Sequence, residues 1–267
     1  MQIPFPKKKV TRSIAAKEFE ILEHAYPGAQ TELQYSNPFE LLIAVILSAQ
    51  CTDARVNMTT PALFAKYPGA EELSKADRLD VERIIKSCGF YRMKAKNIVA
   101  TARDLVEKHA GIVPDDRVAL ESLAGVGRKT ASVVLSVVFE KAAFAVDTHV
   151  FRVAHRLGLT LGKSERDVER DVTGFLPPEK WRHAHHWLIL HGRAICKAPT
   201  PRCDICPLQG ICPSRGIVEQ AFAKTAKGRR QVRAGEVVAR PRQSSAKAST
   251  PSSVPRSPRR SKASKDS

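Results

Sequence analysis

Four cysteines within 17 residues form the clearest chemical pattern in the chain, with the spacing C-x6-C-x2-C-x5-C. Thiolates at short, fixed intervals can surround one small metal centre, and both tetrahedral zinc and a [4Fe–4S] cluster accept four of them. Zinc sites usually join two C-x2-C pairs across a longer loop, whereas this segment has one such pair. The spacing therefore favours iron–sulfur and leaves zinc open. The candidate ligands are Cys196, Cys203, Cys206 and Cys212.

Basic residues accompany these cysteines. Lys197 and Arg202 lie in the loop between the first two of them. Positive side chains reduce the net negative charge of a thiolate site and could also bind a phosphate group, with ordinary solvation as the alternative. The two other cysteines, Cys51 and Cys88, stand apart and are predicted to be small buried apolar residues.

A glycine-containing turn provides the second pattern, L-A-G-V-G-R-K-T-A at residues 123–131. Two glycines one residue apart permit positive φ angles and a tight reversal between helices. They also leave backbone N–H groups accessible at the start of the next helix. A DNA phosphate can bind there without the base sequence being read. This is the helix–hairpin–helix pattern of DNA-binding proteins. The candidate DNA contacts are Gly125, Val126, Gly127, Arg128 and Thr130.

Lys129 is placed in the first turn of the helix after this hairpin. The positive end of the helix dipole and the adjacent Arg128 both disfavour the ammonium form. A lysine that loses its proton more easily is a candidate nucleophile for Schiff-base chemistry. The alternative is a lysine that binds a phosphate.

Asp147 follows an apolar helix in the segment A-V-D-T-H-V. A helix is predicted to begin there, so an N-cap is the ordinary role for this residue. Because Asp147 comes 18 residues after Lys129 and across one helix, its carboxylate could return to the same cleft. There it could stabilise positive charge at a sugar carbon or act as a base for the attacking amine. His149 is predicted to be structural.

The elements that must position these groups are helices. Apolar residues recur at intervals of three and four, Pro and Gly mark the stops, and few segments alternate with period two. The fold class is therefore predicted to be all-α. The predicted helices cover residues 11–25, 38–49, 53–64, 78–87, 94–109, 117–123, 128–139, 147–157, 164–175 and 180–191.

The composition points to a polyanionic partner. The net charge of the 267 residues is +17, and residues 221–267 contain 13 Lys and Arg against 2 Asp and Glu. This last segment is poor in large apolar residues, so it is predicted to be a disordered basic tail that either adds non-specific DNA affinity or has no role. No apolar run is long enough to cross a membrane and no secretion signal is present. A cytoplasmic, non-secreted protein is expected.

Taken together, the motifs resemble the endonuclease III family. The resemblance rests on L-L-I-A-V-I-L-S-A-Q-C-T-D, the hairpin, V-D-T-H-V-F-R-V, H-H-W-L-I-L-H-G-R and the cysteine spacing, in order from about residue 12 to 214. It implies base-excision repair by a bifunctional DNA glycosylase and abasic-site lyase that removes oxidised or damaged pyrimidines from duplex DNA. It also implies that Lys129 is the nucleophile, that Asp147 is the catalytic aspartate, and that the four cysteines bind a [4Fe–4S] cluster.

The resemblance further implies two helical domains in a monomer. Residues 32–144 would form a helical domain that contains the hairpin. Residues 11–31 and 145–220 would form a discontinuous domain that carries the cluster, after a flexible basic N-terminus at residues 1–10 and before the tail at 221–267.

Two further positions correspond to family residues that enter the DNA. Gln50 would fill the gap left by an extruded nucleotide, since an amide can both donate to and accept from the unpaired base. Phe90 stands where the family often has a leucine wedge, and an aromatic ring could also enter the base stack. Ala124 stands where the family frequently has a proline before G-V-G. We therefore expect a slightly less rigid turn.

Two rival functions fit the residues less well. The adenine-mismatch glycosylases of the same superfamily lack the hairpin lysine and carry an extra C-terminal domain. A non-enzymatic helix–hairpin–helix module would need neither Lys129 nor Asp147. The joint presence of both residues favours the bifunctional enzyme.

Overall fold

A computed structural model describes residues 4–223 of the chain, in which helices are the regular elements and no strand occurs. The prediction of an all-α fold is confirmed. Eleven α-helices lie between residues 12 and 194, and they are α1 Arg12–Ala25, α2 Pro38–Ser48, α3 Asp53–Lys66, α4 Ala70–Ser74, α5 Arg78–Ile84, α6 Tyr91–His109, α7 Arg117–Ser122, α8 Arg128–Val137, α9 Thr148–Arg156, α10 Glu165–Thr173 and α11 Trp181–Ala194.

Side-chain caps explain where most of these helices begin. At the first residue before the helix, a side-chain oxygen accepts a backbone N–H that has no partner within the helix. This cap occurs at Thr11, Asn37, Thr52, Asp77, Asp116, Asp147 and Ser164. Helix α6 lacks such a cap and begins three residues before the predicted start, while α4 was not predicted because its five residues are too short to show a period.

The buried apolar side chains form two clusters. The first surrounds α2, whose residues 41–47 are all buried, and it extends from Leu33 to Ala145. The second joins α1 to the segment from Phe144 to Leu208 and includes Trp187. Apolar burial at roughly 25 cal/mol per Å² is the main force holding such clusters together. The domain bounds expected from the family resemblance stay a prediction.

The two ends of the described chain adjoin the predicted flexible N-terminus and the predicted basic tail, and both of these stay predictions. Near the start, Val10 N–H donates to Gly158 O at 2.9 Å, and Lys9 Nζ lies 2.8 Å from an Asp171 carboxylate oxygen. At the other end, residues 215–223 are helical, so helix continues three residues into the predicted tail. Residues 224–267 of that tail lie outside the described residues. Among the described helices, none is both long and apolar enough to cross a membrane.

Glu18 on α1 gives the fold a pH-dependent stability. Its side chain is fully buried, and neither carboxyl oxygen has a hydrogen-bond partner in the described part of the chain. Burial raises its pKa to about 8. Between about pH 4.5 and 8 the folded protein keeps a proton that the unfolded chain releases. Stability therefore falls as pH rises, by up to about 1.4 kcal/mol per pH unit from this group.

We expect Glu18→Gln to remove this loss. The amide cannot ionise, so the variant should gain unfolding free energy over the parent as pH rises from 5 to 8. Denaturant unfolding at both pH values measures the difference. An equal advantage at pH 5 and pH 8 would show that Glu18 does not titrate in this range.

Candidate active site and cysteine loop

The hairpin between α7 and α8 requires glycine at one position. Gly125 has a φ of +77°, and a Cβ added there would lie 2.7 Å from the side-chain nitrogen of Asn97. Gly127 instead has a φ of −97° and is the N-cap of α8, with no side chain to cap the helix. The expectation of positive φ thus holds for Gly125 alone, while Gly127 leaves the first amides of α8 without a side-chain cap.

Contacts with α6 and within the turn hold the hairpin in place. Val126 is buried, and its N–H donates to Leu123 O at 3.1 Å. The Thr101 hydroxyl on α6 donates to Ala124 O at 2.6 Å. A turn fixed on both sides keeps the start of α8 in a constant position.

Arg128 is engaged by a carboxylate. Its Nε and Nη2 donate to the two oxygens of Glu169 on α10, at 2.8 and 3.1 Å. This paired geometry is the strongest that a guanidinium and a carboxylate can form, and it raises the pKa of Arg128. Arg128 therefore ties α8 to α10, a role the sequence did not indicate. The predicted DNA contact Thr130 is half-buried beside it.

Lys129 and Asp147 line the same cavity. Lys129 is exposed and Asp147 is half-buried. Asp147 Oδ1 accepts the N–H of Val150 at 2.7 Å, so the predicted N-cap is confirmed. Its other carboxylate oxygen makes no hydrogen bond within residues 4–223. One oxygen thus holds the helix while the second is left for the cavity.

His185 lines this cavity too, and sequence reasoning did not single it out. Its Nδ1 lies 2.8 Å from Ala145 O, and only a protonated nitrogen can donate to a carbonyl. This contact assigns the proton to Nδ1 and leaves Nε2 with a lone pair. Burial lowers the pKa of His185 to about 4, against the opposing effect of Asp147, so the ring is neutral at pH 7. His185 is the first residue of the motif H-H-W-L-I-L-H-G-R, which contributed to the family resemblance without indicating a role for this histidine.

Gln50 and Phe90 lie outside the residues lining the cavity, on two adjoining loops. Gln50 follows α2 and Phe90 precedes α6, and both are exposed. Both have positive φ angles, 52° and 56°, which are uncommon for residues other than glycine. A Cβ on Gly89 would lie 3.3 Å from Gln50 O, so the two loops touch. Strained backbone of this kind tends to occur at functional positions.

The four candidate cysteines line one cavity. Two nitrogens approach the sulfurs, since Arg156 Nη1 donates to Cys196 Sγ at 3.5 Å and His191 Nε2 lies 3.7 Å from Cys206 Sγ. Arg156 also donates to Lys197 O at 2.7 Å, which fixes the loop. Within the described residues, no three His, Cys, Asp or Glu side chains are grouped as a site for a single metal ion.

Burial controls the ionisation of these thiols. It raises the pKa of Cys206 to about 11 and that of Cys212 to about 12. Both sulfurs therefore keep their protons at neutral pH unless positive charge enters the cavity, and metal binding releases such protons. Lys197 and Arg202 are exposed on the same loop, and their side chains make no hydrogen bond or ion pair with the rest of the described chain.

Comparison with known proteins agrees with this geometry. A family model described as HhH-GPD superfamily base excision DNA repair protein matches residues 43–178. The endonuclease III of Rickettsia conorii is 49% identical over 199 residues, which cover 74% of this chain and 95% of that protein. The endonuclease III of Escherichia coli K12 is 48% identical over 210 residues, covering 76% and 98%. A solved trapped endonuclease III–DNA covalent intermediate matches with a TM-score of 0.75 and 44% identity, over 78% of this chain and 98% of that one.

The chain belongs to the HhH-GPD superfamily of base excision DNA repair proteins and, within it, to the endonuclease III family. It is therefore a base excision repair enzyme, a DNA glycosylase with abasic-site lyase activity.

Proposed function

We propose that Lys129 is the nucleophile that removes oxidised or damaged pyrimidines from duplex DNA. The observation that carries this proposal is the shared cavity, which an exposed primary amine and a half-buried carboxylate both line. An amine with a carboxylate nearby can attack the sugar C1′ as the base leaves, because the negative charge stabilises the cationic transition state. We place the enzyme in the cytoplasm, associated with the nucleoid if the cell is bacterial.

Each group at the cavity has a defined part in the reaction. The neutral amine of Lys129 bonds to C1′, and the damaged base leaves with the glycosidic electron pair. Asp147 stabilises the positive charge on C1′ with the oxygen that does not cap α9. Once the attached nitrogen has lost a proton, its lone pair expels the ring oxygen O4′, which takes up a proton, and the iminium so formed acidifies the C2′ proton. β-Elimination then removes that proton and breaks the C3′–O bond, so the phosphate leaves and the strand is cut on the 3′ side. The lone pair of His185 Nε2 can accept a proton released at this cavity.

Duplex binding involves the amides at the start of α8 and the exposed Lys197 and Arg202, which contact phosphates. Gln50 fills the gap left by the extruded nucleotide, and Phe90 enters the base stack. Gly125, Val126, Gly127 and Thr130 bring the hairpin against the backbone of the DNA. Arg128 would have to exchange Glu169 for a phosphate in order to join them.

A reduction experiment tests the proposed chemistry. The full chain is incubated with duplex DNA that contains one abasic site, in the presence of sodium borohydride. Reduction of the iminium should give a covalent protein–DNA adduct that survives denaturing electrophoresis. A protein that cuts the DNA without ever forming an adduct would contradict a Schiff base. Duplexes with an oxidised pyrimidine and with an undamaged one then measure the lesion preference.

We also propose that Cys196, Cys203, Cys206 and Cys212 hold a [4Fe–4S] cluster. The residues fit this group, because all four sulfurs line one cavity, Arg156 donates an N–H to Cys196 Sγ and His191 Nε2 lies beside Cys206 Sγ. Thiolate ligation together with nearby N–H groups is the usual environment of such clusters. When bound, the cluster fixes the loop that presents Lys197 and Arg202 and has no step in the lyase reaction.

Absorption spectroscopy distinguishes the metals. We expect the purified protein to show a broad visible charge-transfer band, with iron and sulfide in equal amounts. Cys203→Ala should lose the band, whereas the matched control Cys51→Ser, which changes a cysteine outside this cavity, should keep it. A colourless parent that contains one zinc ion would contradict the cluster.

A further inference from the structure

Lys94 on α6 has no assigned role, although its environment is unusual. The residue is 5% exposed, and Nζ has no hydrogen-bond partner among residues 4–223. A buried ammonium without a partner is costly unless a compensating negative charge is close by. Burial lowers the pKa of Lys94, while Cys51 and Cys88 oppose that shift, so these two sulfurs are the neighbouring groups that can supply negative charge.

Cys51 and Cys88 lie together beside this lysine. The sulfur of Cys51 lies close enough to that of Cys88 to raise the pKa of Cys88, and both cysteines are free. Cys88 is 1% exposed and also donates to the Thr59 hydroxyl at 3.8 Å. Cys51 is half-buried, so a small oxidant can reach it. Burial raises the pKa of Cys88 and the positive charge of Lys94 opposes that rise, so the half-buried Cys51 is the sulfur that an oxidant meets first.

The position of the thiol pair links two loops. Cys51 directly follows Gln50, and Cys88 is two residues before Phe90. The loops already touch where Gly89 packs against Gln50 O. A covalent bond between the two sulfurs would therefore tie together the two backbone segments that carry Gln50 and Phe90.

We propose that Cys51 and Cys88 are a peroxide-sensitive thiol pair, assisted by Lys94, whose disulfide locks these two loops. The Cys51 thiolate attacks one peroxide oxygen, the O–O bond breaks, and a sulfenic acid and water form. The Cys88 sulfur then displaces hydroxide from the sulfenic acid, which gives the disulfide and a second water. Two thiols are oxidised and one hydrogen peroxide is reduced. Lys94 stabilises the thiolate as its cationic neighbour.

The effect on DNA depends on the proposed function of Gln50 and Phe90. If both side chains enter the duplex, they must adjust their separation to the base stack as the nucleotide swings out. A disulfide restricts that adjustment. Oxidation should therefore weaken binding to abasic-site duplex, and a thiol reductant should restore it.

Peptide mapping tests the chemistry without reference to DNA. Trypsin should release residues 18–55 and 87–92 as peptides that contain Cys51 and Cys88 as their sole cysteines. After peroxide treatment of the full protein and alkylation of the remaining thiols, mass spectrometry should find these two peptides joined. A parent protein in which both cysteines stay alkylated after peroxide treatment would overturn the proposal.

Two lysine variants test the part played by Lys94. Lys94→Met should slow disulfide formation by about threefold for each unit by which the thiol pKa rises, because the thiolate fraction falls about tenfold while its nucleophilicity rises about threefold. The matched control Lys96→Met changes an exposed lysine on the same helix and should react at the parental rate. Equal rates in both variants would remove Lys94 from the mechanism.

Binding measurements complete the test. Peroxide should lower the affinity of the parent for abasic-site duplex, and Cys88→Ser should abolish that response while keeping the affinity of the untreated protein. Disulfide formation without any change in affinity would contradict the locking of the loops. Failure of the proposed function is seen separately, because the untreated parent would then form no borohydride adduct.

Discussion

The Lys129→Ala enzyme is expected to form no borohydride-stable adduct and to cut abasic-site DNA at least about a thousandfold more slowly than the parent. Alanine removes the amine from a cavity that the Asp147 carboxylate also lines. Without a nucleophile no iminium forms, and without an iminium the C2′ proton is not acidified. Single-turnover cleavage of a duplex with one abasic site measures the rate, and borohydride trapping measures the adduct.

A second substitution separates the two roles that the sequence leaves open for this lysine. Lys129→Arg keeps a positive charge for a phosphate, but a guanidinium stays protonated and is a poor nucleophile. We therefore expect the arginine variant to bind the duplex and to form no adduct. Lys163→Ala, which changes an exposed lysine outside the cavity, serves as the matched control and should behave like the parent. An adduct with either Lys129 variant would mean that another amine is the nucleophile.

Local signals were sufficient to predict most of the helices. Caps such as Thr11, Asn37 and Asp147 and the three-to-four spacing of apolar residues act within one or two turns, so the sequence displays them directly. The failures are also local in origin. Helix α4 is too short to show an apolar period. Helix α6 begins at Tyr91, directly after Phe90, whose backbone is left-handed and whose side chain does not cap the helix, so no capping residue indicates this start.

The candidate site was predictable only where its chemistry depends on spacing. The cysteines are found by their intervals and the hairpin by its glycines. The remaining contacts join residues about 40 positions apart, such as Arg128 to Glu169 and His185 to Ala145. Such pairs depend on how helices pack, which a single sequence does not display. The burial of Lys94 could not be predicted for the same reason. A lysine on a helix is ordinarily expected to be in solvent.

Substitution of Asp147 is expected to give the second large loss of activity. Two different substitutions separate its catalytic role from its role as a helix cap. Asparagine caps a helix about as well as aspartate, because its side-chain oxygen accepts the same backbone N–H. Asp147→Asn should therefore keep the unfolding free energy within about 0.5 kcal/mol of the parent. Its amide carries no negative charge to stabilise a cationic C1′ or to take a proton. Base excision should fall by about 100- to 10,000-fold.

Asp147→Ala removes the cap as well as the charge. It should lose the same activity as the asparagine variant and also about 1 kcal/mol of stability. The matched control is Ser164→Ala, which removes the cap of α10 and should cost similar stability while leaving base excision intact. Denaturant unfolding and single-turnover excision of an oxidised pyrimidine measure the two quantities. If Asp147→Asn excised the base at the parental rate, the carboxylate would be a helix cap and nothing more, and the negative charge at this cavity would have to come from elsewhere.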